Sequence, residues 1–485
     1  MARTRKRSIG SHSFGRIRTY KEGCPNDEEV ESEAHAEMMR KISIDGDKIR
    51  GLARLIISGG LDTGLMVGRE VAKPHRENGK MGSRMDWSNL GEGPAGMVAQ
   101  RLLSGDVADY VRFRAVCRPW RHCTADPCAH GILDRRFHPR RWIMLREKVA
   151  DPERRRLLNV STGQCVRAHL PELRGHGVCA PTVEGLLVLL NRTTYAVRLL
   201  NPLTRQVADL PPATTLYPLY RGAHGADPRL DFKVSGAGLA DDATVAVLFD
   251  EVRMLAVAKP GDEQWTLVQR GASLSPAISF AGRFYCTTHT EIKMVDTSDD
   301  SQPPRLVVAA KIIHWFTRGE GTVHLLDNGG ELMLLSRTLM QRVGEARYFM
   351  EYKVSRVDFD ARKTQPMPNL GGRAVFIGYT HAISVSPLAF PAIRNDSVYL
   401  GKDHKVGYNL EDTGPYKLVD GTGTTPSFDE GSGVTQGCAY DNNGRRIVCR
   451  YEPRSIVDYL SLYVTEDTSI SYAEEDTSDS DAEAN

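Results

Sequence analysis

The chain has 485 residues, of which 41% are hydrophobic and 26% are charged, an ordinary globular balance with room for two or three domains. The formal net charge is only +2, so the overall charge does not indicate binding to nucleic acid. The nine cysteines lack paired spacing, which excludes a disulfide-framed secreted domain and favours a reducing compartment. Apolar runs such as 185–190 are far shorter than the roughly 18 residues of a membrane helix, so we expect no membrane-spanning helix and no association with a membrane.

Residues 1–84 carry basic and acidic patches, glycine pairs and few aromatic side chains, a composition that predicts disorder. The run from Arg3 to Arg7 is a candidate nuclear import signal, with a merely solvated basic patch as the alternative. Met81 and Met85 both precede the first convincing domain signal, which leaves open that residues 1–84 are an extension of the gene model.

Residues 85–125 change to helical spacing. Between Val107 and Trp120 apolar side chains recur every one to three residues, which predicts an amphipathic helix. Asp106 is suited to cap this helix, Asp109 adds a carboxylate to its first turn, and Pro119 should end it or start a following one. About forty residues cannot bury a closed core alone, so such a module should leave apolar side chains for a partner protein.

From residue 140 to residue 464 the pattern becomes strand-like, with short runs of Val, Leu, Ile and aromatic residues between Gly, Pro, Asn and Asp turns. Five of six such runs start at intervals of roughly 40 to 60 residues, a spacing typical of four-stranded β-propeller blades. Roughly 320 residues correspond to six or seven blades. The runs are 185–190, 244–249, 282–287, 322–327, 373–378 and 396–401.

The helical segment ends in the motif Phe113-Arg-Ala-Val-Cys-Arg-Pro-Trp-Arg121, about 25 residues after Leu90. The motif resembles the (Arg/Phe)-x-x-Val-Cys-x-x-Trp-(Arg/Lys) ending of an F-box. This resemblance implies a three-helix F-box at 85–125 that binds a Skp1-like adaptor, which links to a cullin and a ubiquitin-loading RING subunit. It implies that the following residues line or support the adaptor interface: Leu90, Pro94, Val98, Leu102, Leu103, Val107, Tyr110, Val116 and Trp120. The alternative for Phe113, Cys117 and Trp120 is that they only hold the helices together.

The first helix departs from the family pattern. Leu90 is followed by Gly91 instead of proline, and Gly93, Pro94 and Gly96 stand where helix-forming residues are usual. A proline inside a helix costs about 3 kcal/mol but is tolerated in the first turn. Either the helix starts late, at Pro94, or adaptor binding is weakened.

Several later sequence segments occur in a recognisable order along the chain. They are 137–142 (FHPRRW), 196–205 (AVRLLNPLTR) with 210–212 (LPP), 258–265 (AKPGDEQW), 351–358 (EYKVSRVD), 370–378 (LGGRAVFIG), 384–386 (SVS) and 395–400 (NDSVYL). In this order they resemble plant F-box proteins whose C-terminal region is called domain of unknown function 295, a kelch-like propeller. The resemblance covers residues 86 to about 465. It implies an α plus all-β protein with an F-box at 85–125 and a β-propeller at 140–464, while composition predicts a disordered segment at 1–84 and an acidic disordered tail at 465–485.

Several chemistries are set aside. Cys117, Cys123 and Cys128 lie near His122 and His130, but their spacing is not the paired C-x2-C of a structural zinc site. No catalytic triad, H-E-x-x-H or P-loop motif is present, so we expect no enzyme activity, cofactor or metal. The Arg-rich stretch from 135 to 156 lacks an aromatic platform for nucleic acid.

The sequence therefore predicts a non-catalytic substrate receptor of a Skp1–cullin–F-box ligase in the ubiquitin conjugation pathway, in the nucleus or cytoplasm. Its propeller would bind a target protein that the sequence does not name, through loops that it does not indicate. The alternative is a propeller scaffold that binds partners without a ligase.

Overall fold

The computed structural model describes residues 92–464 apart from 147–150, 152, 221–232, 250–252, 272–273, 275, 300, 314–320, 342–347, 379–380, 402–414, 420–421 and 424–454. Leu90 and the predicted disordered segments 1–84 and 465–485 lie outside the described residues. The chain divides into two compact units. Of the described residues, the smaller unit holds 92–99 and 113–124, and the larger unit holds 100–112 and 125–464.

The described helices are short. They are α1 (Glu92–Gly105), α2 (Val107–Arg114), α3 (Arg118–His122), α4 (Tyr217–Tyr220) and α5 (Ile456–Val464), with 3-10 turns at Pro127–Ala129, Arg135–Phe137, Pro171–Leu173 and Ala213–Leu216. The sequence predicts an amphipathic helix from Val107, with Pro119 ending it or starting a following one, and the structure has two helices here, α2 ending at Arg114 and α3 starting at Arg118. Pro119 occupies the first turn of α3, the position where a missing N–H costs nothing.

The larger unit contains 24 described strands in six consecutive groups, which we call sheets A to F. Sheet A is β1 (Trp142–Met144), β2 (Arg154–Asn159) and β3 (Cys165–His169); sheet B is β4 (Gly177–Pro181), β5 (Leu187–Leu190), β6 (Val197–Leu200) and β7 (Val207–Leu210). Sheet C is β8 (Val234–Leu239), β9 (Val245–Phe249), β10 (Met254–Ala258) and β11 (Thr266–Arg270); sheet D is β12 (Ala277–Phe280), β13 (Arg283–Thr287), β14 (Glu291–Asp296) and β15 (Arg305–Lys311). Sheet E is β16 (Gly321–Asp327), β17 (Leu332–Gln341), β18 (Tyr348–Asp358) and β19 (Lys363–Met367). Sheet F is β20 (Ala374–Ile377), β21 (Ala382–Val385), β22 (Ser397–Leu400), β23 (Tyr416–Val419) and β24 (Thr422–Gly423).

Sheets B to E are antiparallel meanders of four strands each, the repeating unit of a β-propeller. Sheet F is irregular, because β22 lies parallel to β20. Single-residue bridges link D to E at Lys311 and Lys363 and link E to F at Lys353 and Thr422. All six apolar runs predicted from the sequence lie on strands, namely β5, β9, β13, β16, β20 and β22.

Neighbouring sheets share apolar clusters. In β5, Leu187 and Leu189 face the cluster between A and B, whereas Val188 and Leu190 face the cluster between B and C. A strand buried on both faces reads as a continuous apolar run, which is why these strands were visible in the sequence. Further clusters join C to D, D to E and E to F.

The last cluster joins sheet F back to sheet A. It contains Phe376 of β20, Ile143 of β1, and Leu460 and Val464 of α5. The larger unit therefore packs its six sheets in a closed order, as expected of a propeller, and the predicted β-propeller is confirmed. The number of blades stays a prediction, since the described residues omit several segments.

Candidate interaction surface

Helix α1 has one buried and one exposed side. In the smaller unit Ala95, Val98 and Ala99 are buried, whereas Pro94 is exposed and Met97 is 66% exposed. These positions follow the helical repeat, since buried and exposed residues recur three and four apart. Pro94 is the third residue of α1, within the first turn, where proline removes no helical hydrogen bond. The structure thus starts the helix two residues earlier than Pro94 and keeps the proline.

The other segment of the smaller unit is held by an aromatic pair. The rings of Phe113 and Trp120 stack with centroids 4.4 Å apart, and both side chains are buried. Arg114 Nη1 donates to the carbonyl oxygen and to Oγ1 of Thr124, at 2.9 Å each. Arg121 Nε in turn donates to the Arg114 carbonyl oxygen at 3.3 Å. These motif residues therefore hold the turn between α2 and α3 in place.

Asp106 connects helix α2 to sheet A within the larger unit. Its Oδ1 accepts a hydrogen bond from the Ala108 backbone N–H at 2.7 Å, which caps α2 as the sequence predicts. Trp142 Nε1 donates to Oδ1 and Oδ2 at 2.9 and 3.1 Å, and Asn159 Nδ2 donates to Oδ2 at 2.6 Å. Ala108 packs on the apolar side of the same sheet, beside Trp142 and Leu157. One carboxylate thus satisfies the helix end and two buried side chains of the propeller.

Tyr110 is also anchored in the larger unit. Its side chain is 2% exposed, its hydroxyl donates to the Ala125 carbonyl oxygen at 2.6 Å, and its ring lies 5.9 Å from that of Phe137. Val107 in the preceding turn is buried as well. Residues 100–112 of the helical segment are therefore part of the propeller's packing.

Residues 127–141, which we call the strap, run over turns at one end of sheets B to D. Gln206 Nε2 donates to the carbonyl oxygens of Pro127 and His130 at 2.7 and 2.6 Å. Asn201 Nδ2 donates to the Phe137 carbonyl oxygen at 2.9 Å. Both donors belong to the β6–β7 turn, whose Asn201 Oδ1 also accepts from the backbone N–H groups of residues 203 and 204. The Asn201-Pro202 turn is therefore an attachment point for the strap.

The strap continues onto sheets C and D. The guanidinium of Arg135 forms an ion pair with Asp242 in the β8–β9 turn and lies against Gly282 in the β12–β13 turn. Pro139 lies against Gly185 in the β4–β5 turn so closely that any Cβ there would collide with the Pro139 carbonyl. All of these turns join the first and second or the third and fourth strands of their sheets. The strap therefore covers this end of three sheets.

Burial controls the electrostatics of the strap. His138 is almost fully buried, with Nε2 3.1 Å from the Ile132 carbonyl oxygen, and desolvation lowers the pKa of His138 to about 4. The neutral ring therefore carries its hydrogen on Nε2. At the exposed edge, the hydrogen bond from Arg136 lowers the pKa of Asp134.

The family of the chain follows from its propeller. Residues 157–417, more than half of the sequence, match the model of the KIB1-4 beta-propeller. The chain belongs to the KIB1-4 β-propeller family. No curated protein matches it.

Solved structures resemble this KIB1-4 propeller only distantly. The hydrazine synthase of Kuenenia stuttgartiensis has 14% identity over 41% of this chain and 51% of that chain, with a TM-score of 0.25. Virginiamycin B lyase from Staphylococcus aureus has 9% identity over 47% of this chain and 80% of that one, with a TM-score of 0.25. A protein of unknown function from Bacteroides thetaiotaomicron has 11% identity over 59% and 66%, with a TM-score of 0.28. The chain thus spans about half the length of the hydrazine synthase chain that it matches.

The predicted adaptor-binding residues occupy three environments in this KIB1-4 propeller chain. Pro94 is exposed, and Leu102, Leu103 and Val116 are half-buried. The buried ones are Val98, Val107, Tyr110 and Trp120. Leu90 lies outside the described residues, and the adaptor-binding role of the whole set stays a prediction. The buried members can support an interface, whereas only the others offer surface to a partner.

Sequence reasoning missed the attachments between strap and propeller. Gln206 and Asn201 look like ordinary turn residues, and their bonds to the strap join positions 64 to 79 residues apart, which no local pattern reveals. Met97 was also missed, although its place between buried neighbours on a helix marks it as an exposed apolar side chain.

Within the described ranges, no group of three or more His, Cys, Asp or Glu side chains is arranged to hold a metal ion. None of the described helices combines the length and the apolar character needed to cross a membrane.

Proposed function

We propose that this chain is the substrate-binding subunit of a Skp1–cullin–F-box ubiquitin ligase. Residues 92–124 bind a Skp1-like adaptor, which recruits the cullin, and the propeller binds the protein to be ubiquitinated. A β-propeller is suited to act as a protein-interaction scaffold, and the ligase role adds specific partners to this general function. In this role the chain positions the target and needs no catalytic residue or cofactor. The ligase would act in the nucleus or cytoplasm.

One observation carries the proposal: a helical segment that ends in the F-box-like motif is attached to a KIB1-4 propeller. The motif residue Trp120 stacks on Phe113, which supports a module folded in the manner the motif requires. The exposed side of α1 supplies a surface for a partner. Pro94, Met97 and Arg101 are exposed there, three and four residues apart.

The direct test is affinity capture of the full chain from plant tissue, followed by mass spectrometry. We expect a Skp1-like adaptor and a cullin in the captured material. Changing Met97→Asp together with Leu102→Asp should abolish their capture, because each change replaces an apolar side chain of α1, exposed at Met97 and half-buried at Leu102, by a charge. Leu388→Asp is the matched control, since Leu388 is 96% exposed and lies far along the chain, in the loop between β21 and β22. Equal capture by both variants would refute the assigned surface.

A second candidate function is a propeller scaffold that acts without a ligase. One observation favours it: Val107 and Tyr110, two of the expected adaptor contacts, are buried in the larger unit. A chain that captures other proteins but never an adaptor or cullin would support this alternative.

A further inference from the structure

Two hairpin turns of the neighbouring sheets D and E carry the same Phe-x-x-Arg spacing. Phe280 and Arg283 flank the β12–β13 turn of sheet D, and Phe359 and Arg362 belong to the β18–β19 turn of sheet E. The rings of Phe280 and Phe359 have centroids 6.4 Å apart and an interplanar angle of 19°, and the Phe359 ring lies 5.5 Å from that of Tyr285. We call these five residues the aromatic patch.

The aromatic patch is partly open to solvent. Phe359 is 39% exposed and Phe280 is half-buried, whereas Tyr285 is only 5% exposed and underlies them. A ring that only sealed the apolar cluster between sheets D and E would be buried within it. Phe359 is not part of that cluster and stands on a hairpin turn, where polar residues are usual. Exposed aromatic rings that contact one another are enriched at binding surfaces.

Backbone geometry and hydrogen bonds fix the two turns. Ala281 and Gly282 have φ of 49° and 72°, the conformation of a tight two-residue hairpin turn. At the other turn, the Lys311 N–H donates to the Arg362 carbonyl oxygen at 2.9 Å, and Arg362 Nη2 donates to the Val308 carbonyl oxygen at 2.5 Å. Both of these bonds join the turn of sheet E to strand β15 of sheet D. The patch is thus preorganised, which lowers the entropy cost of binding.

The aromatic patch also carries positive charge. Arg283 stands directly opposite Phe280 in the strand register, so both side chains lie on the same face of sheet D. Arg283 and Arg362 are exposed, and within the described part of the chain neither lies within ion-pair distance of an Asp or Glu. Guanidinium groups beside exposed rings favour a partner that presents carboxylates next to an apolar side chain.

The acids of the same hairpin disfavour a polyanion. Asp360 is exposed in the turn itself, and Asp358 at its start accepts a hydrogen bond from Gln365 Nε2 at 2.5 Å. A nucleic-acid strand carries a phosphate at every nucleotide, so it would bring negative charge against Asp360 as well as against the arginines. The net charge of only +2 gives no general attraction for such a strand. A peptide, in contrast, can place its carboxylates at the arginines alone.

We propose that the aromatic patch binds an acidic segment of the target protein, in which an apolar or aromatic side chain is flanked by Asp or Glu. The apolar side chain packs on Phe359 and Phe280, and the flanking carboxylates bind Arg283 and Arg362. The inference rests on the proposed function in taking the bound protein to be the target of a ligase, whereas the binding itself needs no adaptor.

Selection from a displayed library of random peptides tests the proposal on the purified full chain. Peptides that also bind the Phe359→Ala chain are removed, and we expect those that remain to be enriched in an apolar or aromatic residue flanked by Asp or Glu. Enrichment of peptides without an excess of acids would overturn the proposal, and so would a failure to enrich any peptide over the Phe359→Ala chain. Binding of single-stranded oligothymidine that depends on Phe359, in place of peptide binding, would overturn it as well.

Affinities of one selected peptide for further variants separate recognition from folding. Phe359→Ala should weaken binding at least about tenfold and Phe359→Tyr less than about threefold, because tyrosine keeps the ring. Arg283→Gln should weaken binding about tenfold and reduce its dependence on salt. Asp360→Asn, an exposed change in the same hairpin as Phe359, is the matched control and should not weaken binding. If Phe359→Ala unfolds, the selection is repeated against the Arg283→Gln chain, and peptides that bind both chains equally would refute the proposal.

The adaptor assay distinguishes this inference from the proposed function. Variants of the aromatic patch should capture the Skp1-like adaptor normally, and Met97→Asp with Leu102→Asp should leave peptide binding unchanged. Adaptor capture without any peptide that depends on Phe359 would overturn the patch alone. Peptide binding at the patch without adaptor capture would overturn the ligase role and leave the patch as the binding site of a scaffold.

Discussion

Replacing Asp106 by alanine should release helix α2 from the propeller. The change removes the cap on the Ala108 N–H, which stabilises the helix by about 1 kcal/mol. It also leaves Trp142 Nε1 and Asn159 Nδ2 without their acceptor, and both side chains are at most 3% exposed. Each of these two buried donors without an acceptor costs about 1.5 kcal/mol, so the docked state of α2 is destabilised by about 4 kcal/mol in total. Since 1.4 kcal/mol is a tenfold change, opening of α2 should become about 700-fold more frequent.

Native-state hydrogen exchange of the Tyr110 amide reports this opening, because that N–H bonds to the Asp106 carbonyl oxygen inside the first turn of α2. Asp109→Ala is the matched control: Asp109 is exposed and, among the described residues, its ion-pair partner is Arg112, so exchange should change less than about threefold. Asp106→Asn should fall between the two, since it keeps the cap and loses one acceptor oxygen. An increase below tenfold for Asp106→Ala would refute the view that this carboxylate anchors α2.

Three further predictions concern stability. Gly185→Ala should lower the urea midpoint of unfolding far more than Gly261→Ala. Both residues have positive φ, but only a Cβ at position 185 would collide with backbone, namely the Pro139 carbonyl. Equal shifts of the midpoint would contradict the close approach of the strap to Gly185. Trp120→Ala should destabilise the helical segment by about 3 kcal/mol through loss of its stack on Phe113, measured as accelerated exchange of residues 113–124, and a loss below about 1 kcal/mol would argue against the clamp. Burial lowers the pKa of His138 to about 4 from 6.5 in the unfolded chain, so the unfolded state binds the proton first. Its contribution of about 3 kcal/mol to the free energy of unfolding is present above pH about 6.5 and is lost as the pH falls towards 4. His138→Gln should therefore flatten the dependence of the urea midpoint on pH in this range. An unchanged dependence would show that His138 is not the group responsible.

Much of the propeller was predictable because its inner strands are buried on both faces. The run 185–190 stands out in the sequence because Leu187 to Leu190 alternate between two apolar clusters. The outer strands were not visible in this way. β11, for example, has only half-buried or exposed side chains, so its pattern resembles that of a loop.

Close approaches between sheets were beyond sequence reasoning. The structure gives Gly236 and Gly238 a packing role. A Cβ at Gly236 would come within 2.9 Å of the Ala277 Cβ on β12, and one at Gly238 would collide with Ser279. The glycines are needed because β8 and β12 pack side by side, a contact between residues about forty positions apart.

The helical segment was predicted in part. The Asp106 cap follows from the preference of Asp for helix starts, and the place of Pro119 follows from its missing N–H. The burial of Tyr110 against the propeller could not be foreseen, because an amphipathic helix shows that a face is covered but not by which element covers it.

Titration calorimetry of the purified full chain with a purified plant Skp1-like adaptor tests the central claim most directly. The proposed function predicts one-to-one binding with a micromolar or lower Kd, weakened at least about a hundredfold by Met97→Asp with Leu102→Asp and unaffected by Leu388→Asp. Absence of binding, or binding that the α1 double variant leaves unchanged, would contradict the proposal that a ligase adaptor binds α1.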